Sequence, residues 1–452
     1  MGALKKFIFK KKLNTGNTLK YLEQLQSWQW LDIERVRDMQ KHRLTDLLLH
    51  AYKNVPYYHK VLKESGVISV QGKVDLTSFH NMPFLTKDIL RENFDELKSD
   101  DLNSRKWYLN TSGGSTGEPA QFIQDKEYDD WSQAIKFLDD QWSGREINDR
   151  QIRLWGSERD LLVGQETLKV RLGRYIRNEK MLNAFQMTPK LMEDYVNIIN
   201  DFKPVQILSY VESIYELARY IERNKLVVHS PKSIMTSAGT LYPDMRQTIE
   251  RVFRTVVFNR YGSREVGDIA CECENHHGLH VSPLTHYVEI IKNDGRLAAP
   301  GEMGEIVITL LINKAMPLIR YRIGDTGVWE EQPCKCGRHW PRLKKITGRV
   351  SDHFITKDGS VVHGEFFTRL LYHKEWVNKF QFLQMDYNQI VLKIVLQEDI
   401  KDPENNLNSH LELIRKDIQF VMGKECNVKF EFTNHIPPSA SGKYRYTISH
   451  IR

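Results

Sequence analysis

Between residues 18 and 64 apolar positions recur at helical spacing. Leu31, Val36, Met39, Leu44, Leu47, Leu48 and Ala51 share one face, and Pro56 breaks the run. Further along the period changes. "PVQILSY" (204–210) reads as a buried strand and "VESIYELARYIERN" as the helix after it. "KSIMTSAGTLYPDMRQTIERVF" repeats strand, small-residue turn and helix, and "TVVFNRYG" is a further strand ending in glycine. Strands alternating with helices predict an α/β sheet whose ligands gather at strand ends. From about Asp352 the texture shifts to strand-like runs "KFQFLQM" and "QIVLKIVL", a helix "LNSHLELIRKDIQFVM" and a strand "NVKFEF", which predict a small α+β unit. There is no internal repeat and no low-complexity tract.

A chain of 452 residues with 40% hydrophobic residues fills a sizeable core, as about three domains or as one large domain with an appendage. No run approaches the roughly 18 apolar residues of a membrane span, and the N-terminus lacks the apolar stretch of a signal peptide, so a cytoplasmic location is expected. The formal charge of +7 is unevenly placed: Lys5, Lys6, Lys10, Lys11 and Lys12 stand in the first twelve residues with no acid among them. The rest is nearly neutral, which argues against a nucleic-acid partner. Two readings of the basic arm stand, a solvated and frayed terminus or a weak contact with anionic lipid. Gly2 does not open a myristoylation motif, because Lys6 occupies the Ser/Thr position.

The stretch "LNTSGGSTGEPAQF" (109–122) sets Gly113, Gly114 and Gly117 among the hydroxyls of Thr111, Ser112, Ser115 and Thr116. Glycines permit turns in which successive N–H groups converge on an anion, and hydroxyls add donors without bulk, so phosphate is the natural guest. A polar surface turn is the competing reading. The P-loop pattern is absent, since Glu118 and Pro119 follow Gly117 where Lys and Ser or Thr would stand.

Four of the five cysteines form two CxC pairs, Cys271 with Cys273 and Cys334 with Cys336. Cysteines two apart close too tight a ring for ordinary disulfide geometry. With His276, His277 and His280 they offer soft and borderline ligands for a tetrahedral zinc ion, the preferred set being Cys273, His280, Cys334 and Cys336. Two unrelated pairs of reduced cysteines, or Cys271 in place of Cys273, are the alternatives.

Three more stretches belong together. "RYGSREVGD" (260–268) sets Tyr261 and Glu265 at the exit of a strand, where a ring can stack on a base and a carboxylate can hold Mg²⁺. "RYRIGDTG" (320–327) offers Asp325 for two ribose hydroxyls, and "HIPPSASGKYRY" (435–446) carries Lys443 on a Ser-Gly tip. Taken singly each has a plain structural explanation; their order along the chain resembles the adenylate-forming (AMP-binding) superfamily, within it the phenylacetate-CoA ligase branch that includes CapK-like proteins. "LLLHAYKNVPYYHKVL", "MPFLTKDIL", "TSGGSTGEP", "YGSREVGD", "YRIGD", "ITGRVSD" and "PPSASGKYR" carry the resemblance, which spans most of the chain.

The resemblance implies a large multi-sheet N-terminal adenylation domain (1–348) and a small mobile α+β C-terminal domain (349–452). By position, Thr111, Ser112, Gly113, Gly114, Ser115, Thr116 and Gly117 would embrace the ATP phosphates. Tyr261, Gly262 and Ser263 would lie beside adenine, Glu265 would hold Mg²⁺, Asp325 and Arg349 would bind ribose, and Lys443 would bridge the acyl carboxylate and the α-phosphate. The turn "SAGT" with Ala238 and Gly239, together with Trp155 and Tyr210, would line the nucleotide and acid pocket. Gly114 is an extra residue relative to the usual loop, and Ser351 beside Asp352 replaces the usual hinge residue. The resemblance implies that a small carboxylic acid is activated with ATP as an acyl-adenylate, with release of pyrophosphate, and passed to a thiol, coenzyme A; the alternative it leaves open is an amide-forming ligase that passes an acyl or aminoacyl group to an amine in capsule or O-antigen polysaccharide biosynthesis. A nucleotide-binding scaffold without turnover is the alternative from another class. The oligomeric state is not indicated.

Overall fold

The computed structural model describes residues 2–69, 71–112, 120–156, 168–184 and 187–347, and beyond them 354–357, 361–362, 366–367, 370–371, 374, 376–397, 403–437 and 445–451. The chain separates into two compact units, Met1–Thr347 and Gly348–Arg452.

The first unit opens on helices α1 (Gly2–Leu13), α2 (Thr18–Trp28), α3 (Ile33–Asn54), α4 (Pro56–Glu64) and α5 (Lys87–Glu92). The periodic run thus divides at two places. Pro56 takes the first turn of α4, where its missing N–H costs nothing, and Asp32 starts α3 by accepting the Arg35 N–H at 2.9 Å. The basic N-terminus is not frayed as a solvated arm would be. It is helical because Phe9 is buried edge-on against Phe137, with ring centroids 6.3 Å apart.

A hairpin of β1 (Trp107–Thr111) and β2 (Gln121–Asp125) leads into α6 (Lys126–Trp142). There follow β3 (Gln151–Trp155), α7 (Leu168–Arg177), β4 (Glu179–Asn183), α8 (Pro189–Phe202), β5 (Gln206–Tyr210), α9 (Val211–Arg223), β6 (Ser233–Ser237), α10 (Pro243–Phe253) and β7 (Val256–Ser263). Then the chain turns to antiparallel strands: β8 (Gly267–Glu272), β9 (Leu279–Val281), β10 (His286–Ile291), β11 (Met303–Leu310), β12 (Tyr321–Trp329) and β13 (Arg342–Thr347).

Among the described residues these strands make one sheet in the order β10-β11-β12-β13-β9-β8-β7-β6-β5-β3-β4. The half from β4 to β7 is parallel, with crossover helices burying Ile214, Leu217, Ile249 and Phe253 against Ile207, Ile234 and Val257. The half from β7 to β10 is antiparallel. β7 belongs to both halves, so the ends of the parallel strands meet the turns of the antiparallel ones there.

The second unit has a short pair, β14 (Phe354–Ile355) and β15 (Val361–Val362), and a four-stranded sheet of β16 (Val377–Asp386), β17 (Gln389–Leu396), β18 (Asn427–Phe432) and β19 (Thr447–Ser449), in the order β18-β17-β16-β19. Helix α11 (Pro403–Met422) covers it, burying Leu411, Ile414 and Ile418 with Phe380, Phe382, Ile390 and Leu392.

Candidate active site and metal centre

The glycine-rich loop springs from the β1–β2 hairpin, whose mouth is closed by the Ser112 N–H donating to the Ala120 carbonyl at 2.8 Å. The Ala120 N–H in turn donates to Ser112 Oγ at 2.9 Å. Ser112 is therefore buried and holds the neck of the loop, with Thr111 paired to Gln121 beside it. Gly113, Gly114, Ser115, Thr116 and Gly117 lie outside the described residues, as do Arg349 and Lys443.

Across from the hairpin, β7 ends and β8 begins around Arg264, Glu265 and Val266. Gln124 on β2 donates to the carbonyls of Arg264 and Glu265 at 3.0 and 3.4 Å, tying this turn to the hairpin. From the other side His286 contacts the Val266 carbonyl through Nε2 at 2.8 Å and the Thr285 hydroxyl through Nδ1 at 2.9 Å. Since the carbonyl can only accept, Nε2 carries the proton and Nδ1 accepts from Thr285. Glu265 itself is buried, its Oε1 3.4 Å from the Tyr321 hydroxyl and 3.7 Å from Lys87 Nζ.

Lys87 arrives there because the segment before it clips onto β12: the Leu85 N–H donates to Arg320 and the Leu85 carbonyl accepts from Arg322, at 3.0 and 2.9 Å. Thr86 then caps α5. Lys87, Tyr321 and Gln124 were not expected at this site. "MPFLTKDIL" and "YRIGD" contain two of them, but only the register of β12 shows that they reach Glu265.

Two bulges aim the remaining residues. On β12 the pairing with β11 slips between Glu305 and Val307, and Gly324 takes φ +86°. On β7 it slips between Tyr261 and Gly262, where a side chain on Gly262 would strike the Gly267 carbonyl. Bulges re-aim side chains, and here they bring the Tyr261 hydroxyl 2.8 Å from Asp325 Oδ2. Gly262 and Ser263 complete the exit of β7. Ala238 and Gly239 follow β6, Ala238 in the left-handed region at φ +65°, and a Cβ on Gly239 would lie 2.4 Å from a Glu212 oxygen. Trp155 and Tyr210 end β3 and β5 with ring centroids 4.1 Å apart. These are the ends at which ligands of α/β sheets gather.

His286 also supplies a pH handle. Burial outweighs its carbonyl partner and pushes its pKa down to about 4. Between about 4 and 6.5 the unfolded chain binds a proton at this position that the folded chain refuses, so stability falls as pH drops through that window. The gap corresponds to at most about 3 kcal/mol. Urea unfolding at pH 4.5 and 6.5 is expected to show this loss, reduced in His286→Gln; an equal loss in both proteins would show that His286 is not its source.

A second constellation sits at the far ends of the antiparallel strands. Cys273 follows β8, His280 lies on β9, and Cys334 and Cys336 stand in the turn between β12 and β13. The four ligand atoms all lie within 4.8 Å of one another, with Cys273 Sγ 3.6 Å from Cys334 Sγ and Cys336 Sγ 3.4 Å from His280 Nε2. His280 Nδ1 donates to the Trp340 carbonyl at 3.1 Å, which presents Nε2 to the cluster. Burial, reinforced by the Cys336 and Cys334 sulfurs, pushes the Cys273 thiol up to about 12. Three sulfurs and one imidazole nitrogen at this spacing could hold a tetrahedral metal ion. Cys271 is outside the group, packed against Met235, and His276 is 3.2 Å from Glu272 instead. Between the two cysteines and β13, Arg338 donates to Gln29 at 2.8 Å and to both oxygens of Glu274, linking the cluster to the end of α2.

Known proteins resemble this chain over most of its length. Residues 354–450 match the family model of the CapK C-terminal domain. The chain is 27% identical over 433 residues to protein CapK of Staphylococcus aureus, covering 93% of this chain and 92% of that one. It is 24% identical to a phenylacetate-coenzyme A ligase of Thermus thermophilus, covering 91% and 96%. A crystal structure of 2-hydroxyisobutyryl-CoA ligase in the postadenylation state superposes with a TM-score of 0.70 at 19% identity, over 93% of this chain and 91% of that one. The chain is homologous to CapK and to the phenylacetate-CoA ligases and has the adenylate-forming ligase fold.

Proposed function

We propose that the chain, a homologue of CapK and of the phenylacetate-CoA ligases, activates a carboxylic acid with ATP as an acyl-adenylate and passes the acyl group to coenzyme A. A carboxylate oxygen attacks the α-phosphorus, pyrophosphate leaves, and the carbonyl becomes an electrophile. The thiol sulfur then attacks that carbonyl, losing its proton, and AMP leaves. The observation that carries the reading is the role of β12, which brings Asp325 to Tyr261 and Tyr321 to Glu265 at the switch between the two halves of the sheet.

Each residue has a task that its chemistry suits. Asp325 accepts from hydroxyls, as it accepts from Tyr261 here, which fits it to ribose. Glu265 supplies one carboxylate for Mg²⁺, which commonly takes one or two protein carboxylates and completes its shell with phosphates and water; bound there, the ion would neutralise charge on the phosphate oxygens. Lys87, beside the same carboxylate, adds a cation for that charge. Trp155 and Tyr210 give the acid pocket aromatic walls, so phenylacetate, the acid in the names of several relatives, is the first to test. A screen of carboxylic acids for ATP-dependent pyrophosphate release, run with CoA and then with amines, tests the reading. Release requiring one acid, with acyl-CoA formed, supports it; amide formed in place of thioester moves the acceptor to an amine. Nucleotide binding without release for any acid would leave a scaffold.

For Cys273, His280, Cys334 and Cys336 the proposed ion is zinc, in a structural role, since four protein ligands leave no position for water. About one zinc per chain is expected in protein purified without added metal. Cys336→Ser should lower zinc content and bring Tm down by on the order of 5 °C or more, because metal binding is folding free energy. Zinc-free protein with an unchanged Tm would refute the site.

A further inference from the structure

Helices α1 and α7 hold the strongest charge imbalance in the chain. Together they carry nine lysines and arginines and not one acid, whereas the whole chain has a net charge of +7; all the remaining residues therefore sum to −2. The helices touch each other: Lys5 Nζ donates to Asn178 Oδ1 at 3.2 Å and lies 3.4 Å from the centre of the Tyr175 ring.

The same helices expose an unusual amount of apolar surface. On α1, Leu4, Phe7 and Ile8 fall at i, i+3 and i+4 on the face opposite buried Phe9, and Phe7 is 66% exposed. On α7, Leu168, Leu172 and Tyr175 fall at i, i+4 and i+7 and so also share one face, with Leu172 59% exposed. A helix that anchors itself inward through one face has no folding reason to carry a second apolar stripe outward. Beside α7 opens a cleft of about 930 Å³, lined among others by Lys5, Arg171, Leu172, Arg174, Tyr175 and Phe202. Glu179 also lines it, paired with Arg177 at 2.8 Å, but cations outnumber it, and cations over apolar walls match the boundary between lipid phosphate and acyl chain.

We infer that α1 and α7 together form a docking surface for an anionic phospholipid bilayer. The lysines of α1 meet the phosphates together with Arg171, and Leu168 and Leu172 enter the headgroup–acyl boundary from α7, which segregates its apolar and charged faces as interfacial amphipathic helices do; α1, whose lysines are spread around it with Lys11 within its apolar stripe, adds Leu4, Phe7 and Ile8 beside them. The contact is peripheral: among the described residues no helix is long and apolar enough to cross a membrane. Charge complementarity selects lipid over a second copy of the chain: Glu179 beside the cleft pairs with Arg177 at 2.8 Å, and the five lysines of α1 still give two copies of this face a large excess of like charge. Docking here needs neither ATP nor acid and stands independently of the ligase reading.

Flotation of the full chain with vesicles tests it, without nucleotide. Vesicles of phosphatidylcholine containing about 30 mol% phosphatidylglycerol should retain at least about tenfold more protein than pure phosphatidylcholine in about 0.1 M salt, with most of the gain lost at about 0.5 M. Two variants separate the contributions. Phe7→Glu with Leu172→Glu removes the apolar contact, and Lys10→Glu, Lys11→Glu and Lys12→Glu together remove the charge; each should cut retention at least about tenfold. All five side chains are exposed, so Tm should hold. Equal retention on both vesicles, or variants that float like the unaltered chain, would overturn the inference. So would a lipid-free dimer in sedimentation velocity that the Phe7→Glu, Leu172→Glu variant dissolves, since the face would then belong to a second copy.

Discussion

Replacing Lys443 by alanine is expected to slow acyl-adenylate formation by about 10² to 10³, the usual cost of losing one preorganised donor to a developing charge, while leaving transfer from a supplied acyl-adenylate nearly intact. The motif that carries Lys443 is held at its C-terminal side. The Arg445 carbonyl accepts from Gln381 at 2.8 Å, the Tyr446 carbonyl accepts from the Phe382 N–H at 2.7 Å, and the Tyr446 ring lies 4.9 Å from Phe380. Lys443 thus stands two residues from an anchor on the second unit, whereas Glu265 and Asp325 belong to the first. A residue on a separate unit can serve one half-reaction and be withdrawn for the next. The variant is given acid with ATP in one experiment, and prepared acyl-adenylate with CoA in the other. Equal collapse of both would place Lys443 in both steps or in the fold itself.

Glu265→Gln is expected to lower pyrophosphate release by on the order of 10²-fold at fixed Mg²⁺, and to move half-saturation to higher Mg²⁺. A neutral amide is a poor ligand for a hard cation and cannot pair with Lys87, now 3.7 Å from the carboxylate. Asp325→Ala should act differently, raising KM for ATP more than it lowers kcat, because ribose contacts are made in ground and transition state alike. Titrating Mg²⁺ and ATP against both variants separates the two roles. Glu265→Gln with an unchanged Mg²⁺ profile would mean that the metal is held elsewhere.

Much of the fold was legible in the sequence. The strands at 206–210, 233–237 and 256–263 and the helices between them appear where period and turn residues predict them, because buried parallel strands need continuous apolar runs and crossover helices need one apolar stripe. The C-terminal α+β unit was readable for the same reason. The antiparallel half was less so: β8, β9 and β13 are short or mixed in polarity, and their pairing depends on partners far along the chain.

By itself, then, the sequence determined the alternation of elements, the order of the motifs that carry Ser112, Glu265 and Asp325, and the supply of cysteines and histidines from which the cluster is drawn, all of which are local properties of residue type and spacing. Only the tertiary structure decided that Cys273 and not Cys271 joins the cluster: strand alternation alone would put residues two apart on one face, but β8 ends at Glu272, and the turn after it sends the Cys273 sulfur to the cluster while Cys271 stays against Met235. It also decided that Lys87 reaches Glu265, through the pairing of Leu85 with the β12 segment more than two hundred residues away. The basic N-terminus is the plainest case. Its charge was visible, but its helix, its buried Phe9 and its outward apolar stripe depend on α6 and α7, whose surfaces exist only once the chain has folded.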